Sequence, residues 1–239
     1  NNKSRLAQNI LPQLIEILSD DTLHYNDSLL INKLKNWSFE YSKSSVEATI
    51  FDVWIKEIEK LTWYDNFGKE DSLYLWPHIN IIDDLIINNP KSKWFDNKLT
   101  NDIEYLDDIA NSAFRNTINY LTEKFGYVND SWEWGNYRGT NINHIANIPG
   151  LGIYNIQTDG APEIINATGK TFGPSWRYNI ELSEKINAIG IYPGGQSGYP
   201  GSYYYDNFIE DWSNGIYYNL EFSNASNDIN GKRFTCTAQ

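Results

Sequence analysis

The stretch from residue 176 to 182, WRYNIEL, decides the fold class of this chain. It is short and rich in aromatic and β-branched residues, a composition typical of a β-strand. Two more runs of the same kind, LGIYNIQ at 151–157 and AIGIY at 188–192, lie on either side of it. Gly, Pro, Asn and Asp separate the three runs, as expected where strands end in turns. The chain after residue 127 is therefore predicted to be rich in β-structure.

Before residue 127 the apolar residues follow helical spacing. Leu6, Ile10, Leu14 and Leu18 recur every four residues, which places them on one face of a helix. The run Ser44-Ser45-Val46-Glu47 predicts a capping box, in which Ser44 accepts first-turn N–H groups and Glu47 reaches back. The helix that it starts has one predicted apolar face, marked by Val46, Ile50, Trp54, Ile58 and Leu61.

A longer helix is predicted to begin at a cap on Asn101 or Asp102 and to stop at Gly126. Its apolar stripe consists of Ile103, Leu106, Ala110, Ala113, Thr117, Leu121 and Phe125. The chain is thus expected to be α+β, with a mainly helical region at 1–126 and a β-rich segment at 127–239. Three or four strands make only part of a sheet, so we expect strands from elsewhere to complete it.

Composition excludes several classes of function. The net charge of −12 repels phosphate backbones, so nucleic acid is not expected as a partner. No apolar run approaches the length of a membrane span, and no signal peptide opens the sequence. The single cysteine, Cys236, cannot form an internal disulfide, and the scattered His24, His78 and His144 give no zinc-site spacing. Because there is no methionine, we interpret the chain as a processed or truncated piece of a longer protein, and the compartment stays open.

The aromatic content allows two interpretations. The chain has 9 Trp and 17 Tyr, which suit either a large packed core or a binding face, for instance one that stacks on carbohydrate. Most of these residues fall on helical stripes or in turns, which favours packing. Paired carboxylates at Asp107-Asp108 and Glu210-Asp211 are predicted on solvated helix faces. Ser197, in a Gly-rich loop, is predicted to be a turn residue rather than a nucleophile.

Several segments together carry a resemblance to a known family. In chain order they are ATIFDVW at 48–54; WEWG at 132–135 with Ala146-Asn147 and GLG at 150–152; GPSWR at 173–177; and PGGQSGYPGS at 193–202 with Tyr205-Asp206, Trp212 and Gly215. Their sequences and order resemble the C-terminal part of the penicillin acylase family of N-terminal-nucleophile hydrolases. The resemblance covers roughly residues 37 to 222.

The resemblance implies a fold and a reaction. Family members form an αββα sandwich and cut themselves into two chains, and the new N-terminal serine attacks an amide carbonyl with its own α-amino group as base. An asparagine side chain and a backbone amide form the oxyanion hole. The substrates are acylated β-lactams, acyl-homoserine lactones or related linear amides. No cofactor is implied except calcium.

The resemblance also assigns sites and partners. Because Asn1 is not a nucleophile, the serine is expected in the upstream part of the same precursor, and this chain alone is expected to be inactive. Asn147, before the GLG motif, is the expected oxyanion donor; the competing positions are Asn141, Asn143 and Asn155. A family arginine is missing where Phe172 stands, and its role is not transferred to Arg177. Calcium, if bound, is expected at Asp159 or Glu163, which suit it as hard oxygen ligands.

Overall fold

The fold was analysed in a computed structural model, which describes residues 2–18, 25–68 and 75–222. The helices are α1 (Arg5–Ile17), α2 (Tyr25–Lys35), α3 (Val46–Phe67), α4 (Ile79–Asn88), α5 (Leu106–Phe125), α6 (Trp134–Arg138) and α7 (Ile209–Asn214). Short 3₁₀ turns lie at Lys93–Phe95 and Asp130–Trp132. Helices followed by antiparallel strands confirm the predicted α+β class. Within the described residues, no helix is both long enough and apolar enough to span a membrane.

The predicted helical faces are confirmed except at Ile103, which precedes α5 and is exposed, and two predicted caps are wrong. Helix α3 begins after Ser45, whose Oγ accepts the N–H of Ala48 at 3.1 Å and donates to Glu47 at 3.0 Å. Sequence spacing had placed this role one residue earlier, on Ser44. Helix α5 begins after Tyr105 rather than after Asn101 or Asp102, because the N3 carboxylate of Asp108 accepts the Tyr105 N–H at 2.9 Å.

Helix α3 lies at the centre of the helical core. Ile50, Trp54 and Ile58 are fully buried on the face that the sequence predicted. The indole of Trp54 meets Phe114 of α5 edge to face, with ring centroids 4.9 Å apart, and donates to the Ala110 carbonyl at 3.0 Å. Burying this aromatic side chain removes a large apolar area from water and also satisfies its one polar atom. Other tryptophans are buried as well, which confirms packing as the main role of these residues: Trp63, Trp132, Trp134 and Trp212.

The strands form two antiparallel sheets. Strands β1 (Thr140–Ile142) and β2 (Ile153–Ile156) make a hairpin with an irregular register. Strands β3 (Arg177–Glu181), β4 (Asn187–Ile191) and β5 (Tyr218–Leu220) make a three-stranded sheet with β4 in the middle. Tyr178 pairs with Gly190, which pairs with Tyr218. The strands predicted at 151–157, 176–182 and 188–192 are thus present.

The chain divides into two compact units, Asn1–Gly173 and Pro174–Gln239. The boundary at residue 126 between the predicted helical and β-rich regions lies where long helices give way to strands, and α6 and the β1–β2 hairpin pack with the helical core. Trp134 N–H donates to the Ser45 carbonyl at 3.0 Å, and Gly135 N–H donates to the Lys43 carbonyl at 2.8 Å. The first unit therefore contains the helices α1–α6 together with one hairpin.

One face of the three-stranded sheet in the second unit is apolar and exposed. Side chains alternate between the two faces of a strand, and the register places one set of large apolar residues together: Trp176, Tyr178, Ile180 and Leu182 with Tyr218, Leu220 and Phe222. On the opposite face, Arg177 lies 4.7 Å from the ring of Trp212 of α7 and donates to its carbonyl at 2.7 Å. Large apolar side chains exposed together on one sheet face are typical of an interface rather than of a solvated sheet.

Candidate functional site

The β1–β2 hairpin carries Asn147 in its connecting loop. The backbone N–H of Asn147 donates to the carbonyl of His144 at 2.7 Å, and the Ala146 N–H donates to His144 Nδ1 at 3.2 Å. Asn147 has a φ of +49°, and asparagine is one of the few residues that tolerate this left-handed region. Its side chain is exposed. The structure therefore shows a tight turn at this position, with an exposed asparagine side chain.

The competing asparagines of the hairpin also shape its backbone. Asn141 Oδ1 accepts the N–H of Asn155 at 2.9 Å. Asn155 itself has a φ of +57°, and Asn143 is exposed. Asn141 and Asn155 thus hold the irregular register of the hairpin.

Arg138, the last residue of α6, lies at the base of this hairpin with its guanidinium group turned inward. Its Nη1 donates to the carbonyls of Gly160 at 2.8 Å and Thr168 at 2.7 Å, and to the Thr168 hydroxyl at 2.7 Å. Its Nη2 donates to the Thr158 carbonyl at 3.0 Å, to the Thr158 hydroxyl, and to the Thr140 hydroxyl at 3.3 Å. One side chain therefore joins the start of β1, the end of β2 and the segment at 158–169.

The threonines around Arg138 form a closed polar cluster. Thr140, Thr158 and Thr168 are fully buried. The hydroxyls of Thr140 and Thr158 lie 2.8 Å apart, and Thr168 Oγ1 donates to the Asp159 carbonyl at 2.6 Å. Burial lowers the pKa of Arg138 to about 10, a shift that the more distant charges of Asp52 and Asp159 oppose. The guanidinium remains charged at neutral pH and binds neutral oxygens rather than a carboxylate.

Gly160 lies where the cluster is tightest. Its φ is +95°, and a Cβ at this position would lie 2.7 Å from Thr168 Oγ1 and would overlap the carbonyl oxygen of Asn166. Trp134 Nε1 donates to the Gly160 carbonyl at 2.7 Å, and the same carbonyl also accepts from Arg138. Only glycine combines this backbone angle with this lack of space.

Asp159 and Glu163, the expected calcium ligands, lie in the segment that follows β2, and their role as ligands stays a prediction. Asp159 Oδ1 accepts the Lys43 N–H at 2.8 Å and Oδ2 accepts the Asn2 amide at 3.2 Å. Glu163 is exposed. Calcium requires six to eight oxygen ligands, and the described residues contain no cluster of three or more His, Cys, Asp or Glu side chains able to hold a metal.

Asn166 differs from Asn147 in that its carboxamide is held by a hydrogen bond. This residue was not singled out from the sequence. Its Nδ2 donates to Asn2 Oδ1 at 2.9 Å. Its Oδ1 is buried and has no hydrogen-bond partner among the described residues. Buried acceptors of this kind are uncommon, because leaving one unsatisfied costs about 1–3 kcal/mol.

A pocket of about 500 Å³ opens beside the Arg138 cluster. Asp52 of α3 lies on its wall, with its carboxylate 2.8 Å from Lys56. Burial raises the pKa of Asp52 above its ordinary value of 3.8, although Lys56 and Arg138 act in the opposite direction. Tyr41 and Tyr137 also line the pocket, and burial raises the pKa of both phenols. The two phenols and the carboxylate that line the pocket therefore stay uncharged up to a higher pH than they would in water.

The remaining sequence candidates lie elsewhere. Ser197 Oγ accepts the N–H of Tyr199 at 3.1 Å, as expected of a turn residue. Phe172, where the family arginine was expected, is half exposed and borders the 500 Å³ pocket. Cys236 and His24 lie outside the described residues. Arg138 was not identified from the sequence. The WEWG motif, which ends three residues before Arg138, was a usable signal, because Trp134 of this motif and Arg138 donate to the same carbonyl, that of Gly160.

Comparison with known proteins gives a consistent match. The sequence model of the penicillin amidase family matches residues 1–228. The acyl-homoserine lactone acylase QuiP of Pseudomonas syringae pv. tomato is 24% identical over 229 residues, covering 86% of this chain and 28% of that protein. The same enzyme from Pseudomonas fluorescens is 24% identical over 228 residues, covering 88% of this chain and 27% of that protein.

The fold comparison agrees with these sequence matches. The thermostable penicillin G acylase of Alcaligenes faecalis superimposes with a TM-score of 0.55 at 11% identity, covering 100% of this chain and 48% of that chain. This likeness concerns the fold. The chain spans little more than a quarter of the curated relatives' length.

Proposed function

Because this chain belongs to the penicillin amidase family, which its sequence matches over residues 1–228, we propose that it is part of an amidohydrolase that cleaves a linear amide bond. The family match is the observation that carries this proposal. An acylated β-lactam, an acyl-homoserine lactone or a similar acylated amine is the substrate class, in keeping with the names of the relatives. The nucleophile is supplied by the upstream part of the same precursor.

The reaction passes through an acyl-enzyme. The hydroxyl of an N-terminal serine adds to the amide carbonyl while the free α-amino group of that serine takes the proton. The carbonyl oxygen becomes negatively charged, the amine leaves with a proton, and water then releases the acid. The contribution of this chain is a neutral N–H donor that stabilises the oxyanion without itself ionising.

Asn147 is the proposed donor from the sequence, and Asn166 is the competitor that the structure adds. The support for Asn147 is its motif context before GLG at 150–152. The support for Asn166 is a carboxamide held in place by Asn2, on a segment bound by Arg138. A donor must be held within a fraction of an ångström of its working position, a requirement that favours an ordered carboxamide over an exposed one.

The test compares alanine variants of both residues in the complete two-part enzyme, with an acyl-anilide as chromogenic substrate. Loss of an oxyanion donor should lower the acylation rate on the order of a hundredfold or more while folding is preserved. Asn119→Ala, an exposed position on α5, is the matched control and should leave the rate unchanged. Normal turnover in both N147A and N166A would exclude both residues, and absence of amide hydrolysis in the wild-type enzyme would refute the proposed function itself.

The upstream part of the precursor is also the proposed partner of the exposed sheet face. The support is the apolar set around Tyr178, Ile180 and Leu220, each more than a third exposed, on a sheet whose edge strands β3 and β5 each pair on one side only among the described strands. Unpaired edges and apolar faces promote association. The chain expressed alone should hydrolyse no amide and should self-associate in sedimentation. A monodisperse monomer at high concentration would contradict the expected self-association.

A further inference from the structure

Resting on the proposed function, we propose that Arg138 is a positioning residue for the amide hydrolysis, because its guanidinium fixes the two backbone segments that carry Asn147 and Asn166. The base of the β1–β2 hairpin is held at Thr140 and Thr158, and the segment that includes Asn166 is held at Gly160 and Thr168. No atom of Arg138 is required to touch the substrate. It acts through the asparagine that donates to the oxyanion.

The planar shape of the guanidinium is what allows one side chain to hold both segments. Arginine presents five N–H donors in a rigid fork. The Nη1 side serves Gly160 and Thr168, and the Nη2 side serves Thr140 and Thr158. A lysine ammonium is a single point with three donors, so it can reach one side of the fork but not both. The spacing of the acceptors therefore selects arginine rather than a positive charge in general.

The cost of this arrangement argues against a purely stabilising role. Arg138 is half-buried, its buried Nε lacks a hydrogen-bond partner among the described residues, and its Nη groups donate to neutral oxygens. The nearby carboxylate of Asp159 instead accepts hydrogen bonds from the backbone N–H of Lys43 and from the side-chain amide of Asn2. Burying a charge without a paired carboxylate is a poor source of stability, whereas it can enforce one specific arrangement.

The neighbouring residues complete the same clamp. Trp134 places its ring 5.0 Å from the guanidinium carbon and donates to the Gly160 carbonyl. The Gly160 N–H donates to the Tyr41 carbonyl at 2.7 Å. The segment at 158–169 is thereby held from the helical core on one side and from Arg138 on the other. Loosening Arg138 is expected to release the hairpin base and this segment together.

The experiment uses the complete two-part enzyme with Arg138→Lys and Arg138→Ala. Arg115→Lys on the exposed surface of α5 is the matched control. We expect R138K to fold, to keep its full number of active sites as titrated by prolonged incubation with a serine-directed covalent inhibitor, and to lose kcat on the order of a hundredfold, as small misplacements near a reacting group do, with a nearly unchanged KM. Guanidinium ion added at non-denaturing concentration should restore part of kcat in R138A and none in R138K.

These readouts separate positioning from folding. End-point titration with the covalent inhibitor counts competent sites however slowly they react, so a merely structural arginine would lower that count and leave the rate per site unchanged; that result, or a wild-type kcat in R138K, would overturn the proposal. Hydrogen exchange gives a second readout that does not depend on activity. Faster exchange across 139–170 in R138K than in R115K supports the clamp, and equal exchange contradicts it. A wild-type enzyme without amide turnover would refute the proposed function and leave the exchange result to decide the role of Arg138 in holding the segment.

Discussion

Replacing Gly160 with alanine should destabilise the protein more than any other glycine-to-alanine change of similar backbone angle in the first unit. Gly160 has a φ of +95°, and an added Cβ would lie 2.7 Å from Thr168 Oγ1 and 2.9 Å from Asn166 Nδ2. The left-handed backbone costs an alanine about 1–2 kcal/mol. Forcing a methyl group into a filled site adds about 1–3 kcal/mol, so the free energy of unfolding should fall by roughly 2–5 kcal/mol.

Gly126 provides a matched control for this change. Its φ is +78°, and an added Cβ would meet nothing within 4 Å. Gly126→Ala therefore carries the backbone cost without the overlap, and the entropy that alanine removes from the unfolded chain is the same in both variants. Urea unfolding of both variants measures the difference, which should be about 1–3 kcal/mol. Equal destabilisation by G160A and G126A would show that the space around Gly160 is not filled as described.

Two further predictions concern the carboxylates near this cluster. Because the pKa of Asp52 is higher in the folded protein than in the unfolded chain, folding favours its protonated form. Its contribution to the free energy of unfolding is full below pH 3.8, the ordinary pKa, and is lost as pH rises through the raised pKa. Asp52→Asn should therefore gain stability relative to wild type as pH increases towards neutrality, and a difference independent of pH would disprove this. Asp159→Asn should cost about 1–3 kcal/mol, because one of the two N–H donors from Lys43 and Asn2 loses its acceptor. Thermal unfolding should show the same cost with calcium and with chelator; a larger cost in calcium would indicate that Asp159 binds the ion.

Local patterns were sufficient to predict the secondary structure. The four-residue apolar spacing of α1 and α3 placed Ile10, Leu14, Ile50 and Trp54 in the core, where each is fully buried. The aromatic and β-branched content of WRYNIEL predicted β3, and the neighbouring runs of the same kind predicted β2 and β4. Helix starts were less certain, because Ser44 and Ser45 have the same capping chemistry. Which of them caps depends on the path of the preceding chain, which a sequence window does not contain.

The candidate site depended more strongly on long-range contacts. The motifs supplied the family and the position of Asn147, whose catalytic role stays a prediction. They gave no reason to choose Arg138, because all of its acceptors except Thr140 lie 20 to 30 residues further along the chain. The resemblance also pointed to Asp159 as a calcium ligand, which stays a prediction, but the sequence did not show that its oxygens accept hydrogen bonds from Asn2 and the Lys43 N–H.

The sequence by itself determined the α+β class, the main helical faces, most of the strands and the family, since each follows from periodicity or from ordered motifs within a short stretch of chain. Only the tertiary structure decided that Arg138 holds the hairpin base and the 158–169 segment together, that Gly160 has no space for a side chain, and that one face of the β3–β4–β5 sheet is left apolar and exposed. The physical reason is that hydrogen-bond partners and packing neighbours are set by how distant segments meet. Local spacing fixes which face a residue occupies, but not what lies opposite it.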